Sequence, residues 1–148
     1  MAEGTSEQQP NLGLLCFFPY RAMEARVMDA LAEAGFDDIT LAQSRVFQRV
    51  GDGSRLTDLA AQARVTKQTA GFLVDRLEAA GYVERVPDPA DARARLVRLG
   101  ERGQAVVAVA RTVEAQVEQE WERHLGRPEA ATLRRLLGTL REVTDPFR

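Results

Sequence analysis

The sequence predicts a mainly α-helical chain carrying one small two-stranded β-sheet, and three observations predict it. Apolar residues recur at helical spacing along most of the chain. Threonine caps and glycine stops divide that pattern into segments of ordinary helix length. One stretch alone, Tyr82 to Leu99, alternates in polarity as a pair of short strands does.

The elements follow in order. Met1 to Gln9 are polar and aperiodic, so residues 1–11 are expected to form a flexible tail. From Leu12 to Ala34, Met23, Val27, Ala30, Leu31 and Ala34 mark one helix face, and Gly35 stops the helix. Pro19 predicts either a start near Phe18 or a kink. Thr40 caps a second helix, Leu41 to Val50, which "GDGS" at Gly51 to Ser54 breaks. Thr57 caps a short third helix through Gln62, and a tight turn follows at Ala63 to Val65. Thr66 caps the fourth, which ends at Gly81. On that helix Ala70, Leu73, Val74 and Leu77 form the inner stripe, and Lys67, Gln68, Gly71, Phe72, Asp75 and Arg76 the other face. "YVERV" (Tyr82 to Val86) and "RLVRL" (Arg95 to Leu99) read as strands around the loop "PDPADARA". Arg102 to Leu125 is a long helix with Trp121 and its valines as packing residues and His124 near its terminal carbonyls. "GRP" at Gly126 to Pro128 ends it and opens a last helix striped by Leu133, Leu136, Leu137, Leu140 and Val143.

Composition bounds the function. A chain of 148 residues, 45% hydrophobic and 28% charged, builds a packed core rather than bulk disorder. Its longest apolar run, Leu14 to Phe18, is too short to span a bilayer, and no secretory signal is read at the N-terminus. One cysteine excludes an intrachain disulfide and suits a reducing cytosol, so a cytoplasmic location is expected. One cysteine and one histidine leave almost nothing for zinc. There is no glycine-rich phosphate loop and no recognisable nucleophile, base and acid set. No cofactor, metal or enzymatic activity is expected.

The net charge of −2 conceals an asymmetry. Arg64 to Arg102 holds eight Lys/Arg against six Asp/Glu, whereas the rest of the chain is acidic. A basic centre on an acidic scaffold is compatible with a DNA reader. A short helix, a tight turn and a second helix with an apolar inner face make a helix-turn-helix, whose second helix is narrow and polar enough for a major groove. The ribbon directly after it makes the unit a winged helix. An arginine at a wing tip gains most in a minor groove, where negative potential is concentrated. Asp91 is placed to hold the Arg93 guanidinium by a charge-assisted hydrogen bond.

At this point the sequence resembles the MarR family of transcriptional regulators. The ordered motifs are "LTDLA", "VTKQT", "RLEAAGYVER" and "DAR" at Asp91 to Arg93, then a strand and "ERG", over Leu56 to Gly103. The resemblance implies an obligate homodimer with intertwined N- and C-terminal helices, bound to a pseudo-palindromic double-stranded operator. It also implies release by a small, often aromatic, effector held between the dimerisation and DNA-binding lobes. Accordingly residues 12–35 would be the N-terminal dimerisation helix, 36–101 the DNA-binding lobe and 102–148 the C-terminal dimerisation helices. The matched positions place Thr66, Lys67, Gln68, Thr69 and Gly71 towards the major groove. Gln68 suits adenine, and threonine methyls or Phe72 suit thymine methyls, although Phe72 suits the core equally. Arg93 would enter the minor groove with Asp91 as its support, and Arg55 and Arg95 would meet phosphates. Phe17, Phe18, Tyr20 and Phe47 would line the effector pocket. Two positions depart from the family: Gly100 stands where threonine is common, and Lys67 where proline or another residue often opens the recognition helix.

Two rival readings stand beside this one. Some relatives that sense organic hydroperoxides use a cysteine in the first helix with a tyrosine four residues on, as Cys16 and Tyr20 are spaced here; the rival is a small buried thiol. A winged-helix module can also bind protein, which a more apolar exposed face on the fourth helix would favour.

Overall fold

The computed structural model describes residues 9–147. Six helices and a two-stranded antiparallel sheet follow in the order α1 (Leu12–Glu33), α2 (Leu41–Phe47), α3 (Leu56–Ala63), α4 (Lys67–Ala79), β1 (Val83–Asp88), β2 (Asp91–Leu99), α5 (Glu101–Leu125) and α6 (Arg127–Thr144). The mainly helical class with a small wing is therefore observed. The tail expected over residues 1–11 lies mostly outside the described residues, but Asn11 is ordered as the N-cap of α1, its side chain accepting from the Leu14 amide.

The local departures from expectation have identifiable causes. Pro19 neither starts nor ends α1, which runs through it with its N-terminal turns exposed. α2 stops at Phe47, short of Val50, because two successive turns carry the chain into Gly51 at φ 55°. Its start is fixed by a reciprocal capping box between Thr40 and Gln43. α3 begins one residue before Thr57: Arg55 takes the N-cap without a side-chain cap bond. Most of the expected loop "PDPADARA" is strand. β1 and β2 pair from Val83↔Leu99 to Pro87↔Arg95, and only Pro89 and Ala90 lie between the strands. Pro87 is tolerated because it sits beside a register irregularity. Ser54 adds a further backbone bridge to Val97, so the ribbon is anchored to the segment before α3.

One core lies beneath the helix-turn-helix. Val46 and Phe47 at the end of α2, and Val50 in the turn after it, meet Leu59, Leu73, Val74 and Leu77 from α3 and α4, with Tyr82, Val83 and Val97 closing it from the ribbon. Leu31 and Val106 extend it to α1 and α5, which pack on each other and are tied by a bidentate Arg26–Glu120 pair at 2.9 and 3.0 Å. α6 packs on α5 but buries none of its residues. Its stripe of Leu133, Leu136, Leu137, Leu140 and Val143 is exposed, as are Leu12, Leu14, Leu15, Phe17 and Phe18 at the start of α1.

Candidate nucleic-acid interface

The sequence of α4 separates its two jobs. Ala70, Leu73, Val74 and Leu77 are buried, which fixes the rotation of the helix about its axis. Thr66 caps it by accepting from the Thr69 amide at 3.1 Å, and its hydroxyl also bonds the Thr69 hydroxyl. With that rotation fixed, Thr66, Lys67, Gln68 and Thr69 are all exposed at one end. Phe72 is not a core residue: it is 56% exposed, with the Arg76 guanidinium 5.1 Å from its ring centroid. Gly71 is half-buried on the flank of α4 nearest α3, where a Cβ would meet Leu56 Cδ2 at an ordinary contact distance of 3.6 Å.

The ribbon is fixed at two heights. Arg85 on β1 donates to Asp75 at 2.8 Å and to Glu78 at 3.0 Å, and Glu78 also accepts the Arg85 amide, which ties the ribbon to α4. Nearer the turn, Arg55 closes on Asp88, a buried carboxylate whose other oxygen accepts the Ala90 amide. That amide and the Arg55 guanidinium hold the Asp88 carboxyl below its usual range.

These contacts correct one assignment and constrain another. Arg55, expected on phosphate, is paired with Asp88 while its side chain remains 43% exposed. Asp91 does not hold the Arg93 guanidinium; among the described residues no ion pair joins the two. Asp91 Oδ1 instead accepts the Arg93 backbone amide at 3.0 Å, and its nearest cation is Arg55, at 3.8 Å. The carboxylate shapes the turn and leaves the Arg93 side chain exposed. Arg95 is also exposed and donates to the Arg85 carbonyl at 2.9 Å. Lys67, Arg93 and Arg95 make no ion pair among the described residues, so their charge faces solvent.

Sequence reasoning passed over Arg64 and Arg85. Arg64 is exposed in the helix-turn-helix turn, in the left-handed conformation at φ 55°. A basic residue inside that turn was the available signal. Arg85 gave none, since its partners lie seven and ten residues away on another element.

A cleft of about 350 Å³ opens between α1, α2 and α5. Tyr20 and Phe47 line it with Met28, Val106, Arg111 and Glu114; Phe17 and Phe18 do not, and lie exposed on α1. At its wall stands Glu24, a buried carboxylate that accepts from Arg45 on α2 through both oxygens at 3.1 Å and from the Tyr20 hydroxyl at 3.1 Å. Arg45 first, with Tyr20 and Arg21, keeps its carboxyl below the usual range against the opposing effect of burial. Cys16 is exposed rather than buried. Arg21, the cation nearest in sequence, is bonded to Glu24 and lies over Phe17. No described group of residues could hold a metal ion, and no described helix is long and apolar enough to cross a membrane.

Comparison with known proteins places this geometry. A sequence profile described as MarR family matches residues 37–94, which span the interval from the Asp38 loop to the wing. The transcriptional regulator HosA of Escherichia coli O111:H- is 35% identical over 92 residues, covering 61% of this chain and 66% of that protein. The crystal structure of the reduced form of MarR from E. coli superposes with a TM-score of 0.71 at 28% identity, over 90% of this chain and 98% of that one. A transcriptional regulator from Thermotoga maritima superposes with a TM-score of 0.61 at 28% identity, over 90% and 91% of the two chains.

Proposed function

The chain belongs to the MarR family of transcriptional regulators, and from that premise we propose that it acts as a dimeric repressor of a pseudo-palindromic DNA operator, released by a small aromatic effector. The observation that carries this reading is the pairing of two exposed features on one lobe whose charges make no ion pair among the described residues: the Lys67–Gln68–Thr69 end of α4, and Arg93 and Arg95 of the wing. A helix end with a lysine, an amide and a hydroxyl suits phosphate and base edges in a major groove, and Arg93 suits the adjoining minor groove. The protein-binding alternative is less well supported, because Phe72 is the only large apolar residue on that face.

The second copy is the occupant for the exposed apolar surfaces of α1 and α6, which would bring two α4 helices to half-sites about 34 Å apart. Occupancy of an operator over a promoter would block transcription. An effector in the cleft between α1, α2 and α5 would shift the lobe against α1 and misalign both helices at once. Such a regulator works in the cytoplasm.

Fluorescence anisotropy with labelled DNA from upstream of its own gene tests the reading. Wild type and Arg93→Ala are titrated at two salt concentrations against unrelated competitor. Competitor-resistant, salt-sensitive binding that the substitution weakens by about 1–3 kcal/mol supports operator reading with an inserted wing. Binding with no preference over competitor counts against it.

A further inference from the structure

Arg102 lies in the first turn of α5, where the positive end of the helix dipole disfavours a cation. Its guanidinium leaves that turn and reaches three other elements. Nη1 donates to Asp38 Oδ2 at 2.9 Å and to the carbonyl of Ala80, the C-cap of α4, at 2.8 Å; Nη2 donates to Asp38 Oδ1 at 3.1 Å. A cation at the C-terminal end of α4 is favourably placed. The same guanidinium lies 4.4 Å from the Tyr82 ring centroid and 5.6 Å from that of Phe36. Tyr82, fully buried, donates its hydroxyl proton to Asp38. One side chain thus joins the start of α5 to the end of α4, the entry to β1 and the segment before α2.

The backbone around this cluster leaves no slack. A Cβ at Gly103 would lie 2.1 Å from the Tyr82 carbonyl oxygen, and one at Gly100 would lie 2.6 Å from that of Gly81. The start of α5 therefore meets the turn between α4 and β1 backbone against backbone, and Arg102 closes the contact from outside.

We propose that the Arg102–Asp38–Tyr82 junction fixes the angle between α4 and α5 and so sets which operator half-site spacing the dimer accepts, making Arg102 a positioning residue for DNA recognition. The inference rests on the dimeric operator reading above. α4 is held at its C-terminal end and reads DNA with its N-terminal end, about 20 Å away along the helix. A tilt of about 10° at the junction therefore carries the reading end through about 3.4 Å, one base-pair step. In a symmetric dimer the two displacements act together. A half-site contacted alone does not register the angle; a pair of half-sites does.

The probe is a set of duplexes selected by the wild-type protein from a random-sequence pool, then respaced by one base pair inward or outward between half-sites. Wild type is expected to lose about tenfold in affinity on respacing, and Arg102→Lys and Asp38→Asn to bring that penalty to within about twofold while binding an isolated half-site as wild type does. Tyr82→Phe, which removes only the hydroxyl bond to Asp38, gives the same reading if Arg102→Lys does not fold. Folded variants that keep the wild-type spacing penalty overturn the inference. A wild-type protein that selects a single half-site, or no sequence, overturns the operator reading itself, which is a distinguishable result.

Discussion

The Arg55 guanidinium at the N-terminus of α3 closes on one oxygen of Asp88 at the end of β1, with Nη2 at 2.6 Å and Nε at 2.9 Å from Oδ2. The other oxygen holds the Ala90 amide at 2.8 Å, so a single buried carboxylate shapes the turn and moors it to the helix-turn-helix. Removing Arg55 leaves the turn shaped but unmoored. Arg55→Ala is expected to raise amide exchange in the Val86 to Arg93 segment while α4 stays protected, and to weaken operator binding by about tenfold. Hydrogen exchange by mass spectrometry with a parallel binding titration checks both; unchanged wing exchange would reject the mooring.

Lys67 and Gln68 are neighbours with different expected signatures. Lys67→Ala is expected to weaken all duplexes alike and to lower the salt slope by about 1, as loss of one phosphate contact does. Gln68→Ala is expected to cost about 1–3 kcal/mol against the preferred base at one operator position and to relax the preference there. Binding to a panel of single-base operator variants at several salt concentrations separates them. A sequence-dependent loss from Lys67→Ala would reverse the two roles.

Glu24 is 4% exposed at its side chain and holds Arg45, Tyr20 and Arg21, whereas Arg45 is 45% exposed and able to turn to water. Glu24→Ala is therefore expected to destabilise the fold by about 1–2 kcal/mol, less than the loss of one partner of a fully buried pair. Urea unfolding of the two single variants and the Glu24→Ala, Arg45→Ala double variant checks it. Strictly additive effects would mean the pair contributes nothing of its own.

Asp38 sets an acid limit. Hydrogen bonds from Arg102 first, then from Tyr82, hold its carboxyl at about 2 instead of the usual 3.8. A carboxyl depressed by folding stabilises the native state above about pH 4, and that contribution fades as pH falls through its folded value. Thermal midpoints of wild type and Asp38→Asn should therefore converge towards pH 2 and separate above pH 4, wild type being the higher. Tyr82 has the opposite sign: burial, then Asp38, pushes it up to about 12 from 10.0, so its contribution is lost as pH rises from 10 to 12. Parallel curves at acid pH would show that Asp38 contributes no linkage.

What could be read from the chain divides by distance. Thr40, Thr66 and Gly35 act on neighbouring backbone, and the helices they bound lie where their residue types put them. The buried stripe of α4 and the lysine and glutamine opposite it follow from the same periodicity. The wing was legible in kind but not in length, since Pro87 and Pro89 look like strand breakers until the register irregularity beside Pro87 is seen. The partners of Arg55, 33 residues away, and of Arg102, 64 residues away, have no local signature. Gly100 and Gly103 are explained only once the Gly81 and Tyr82 carbonyls lie against them.

The unburied stripe of α6 bears on what dilution does to this molecule. An 18-residue amphipathic helix with no buried residue of its own draws little stability from its chain, because most helical stability in proteins comes from packing an apolar face. If the second copy proposed above covers Leu136 and Leu140, its persistence depends on mass action with that copy, and the helix and the dimer form together. Thermal stability should rise with protein concentration, and the cell's copy number would set how much of the regulator is fully folded as well as how much is bound to DNA.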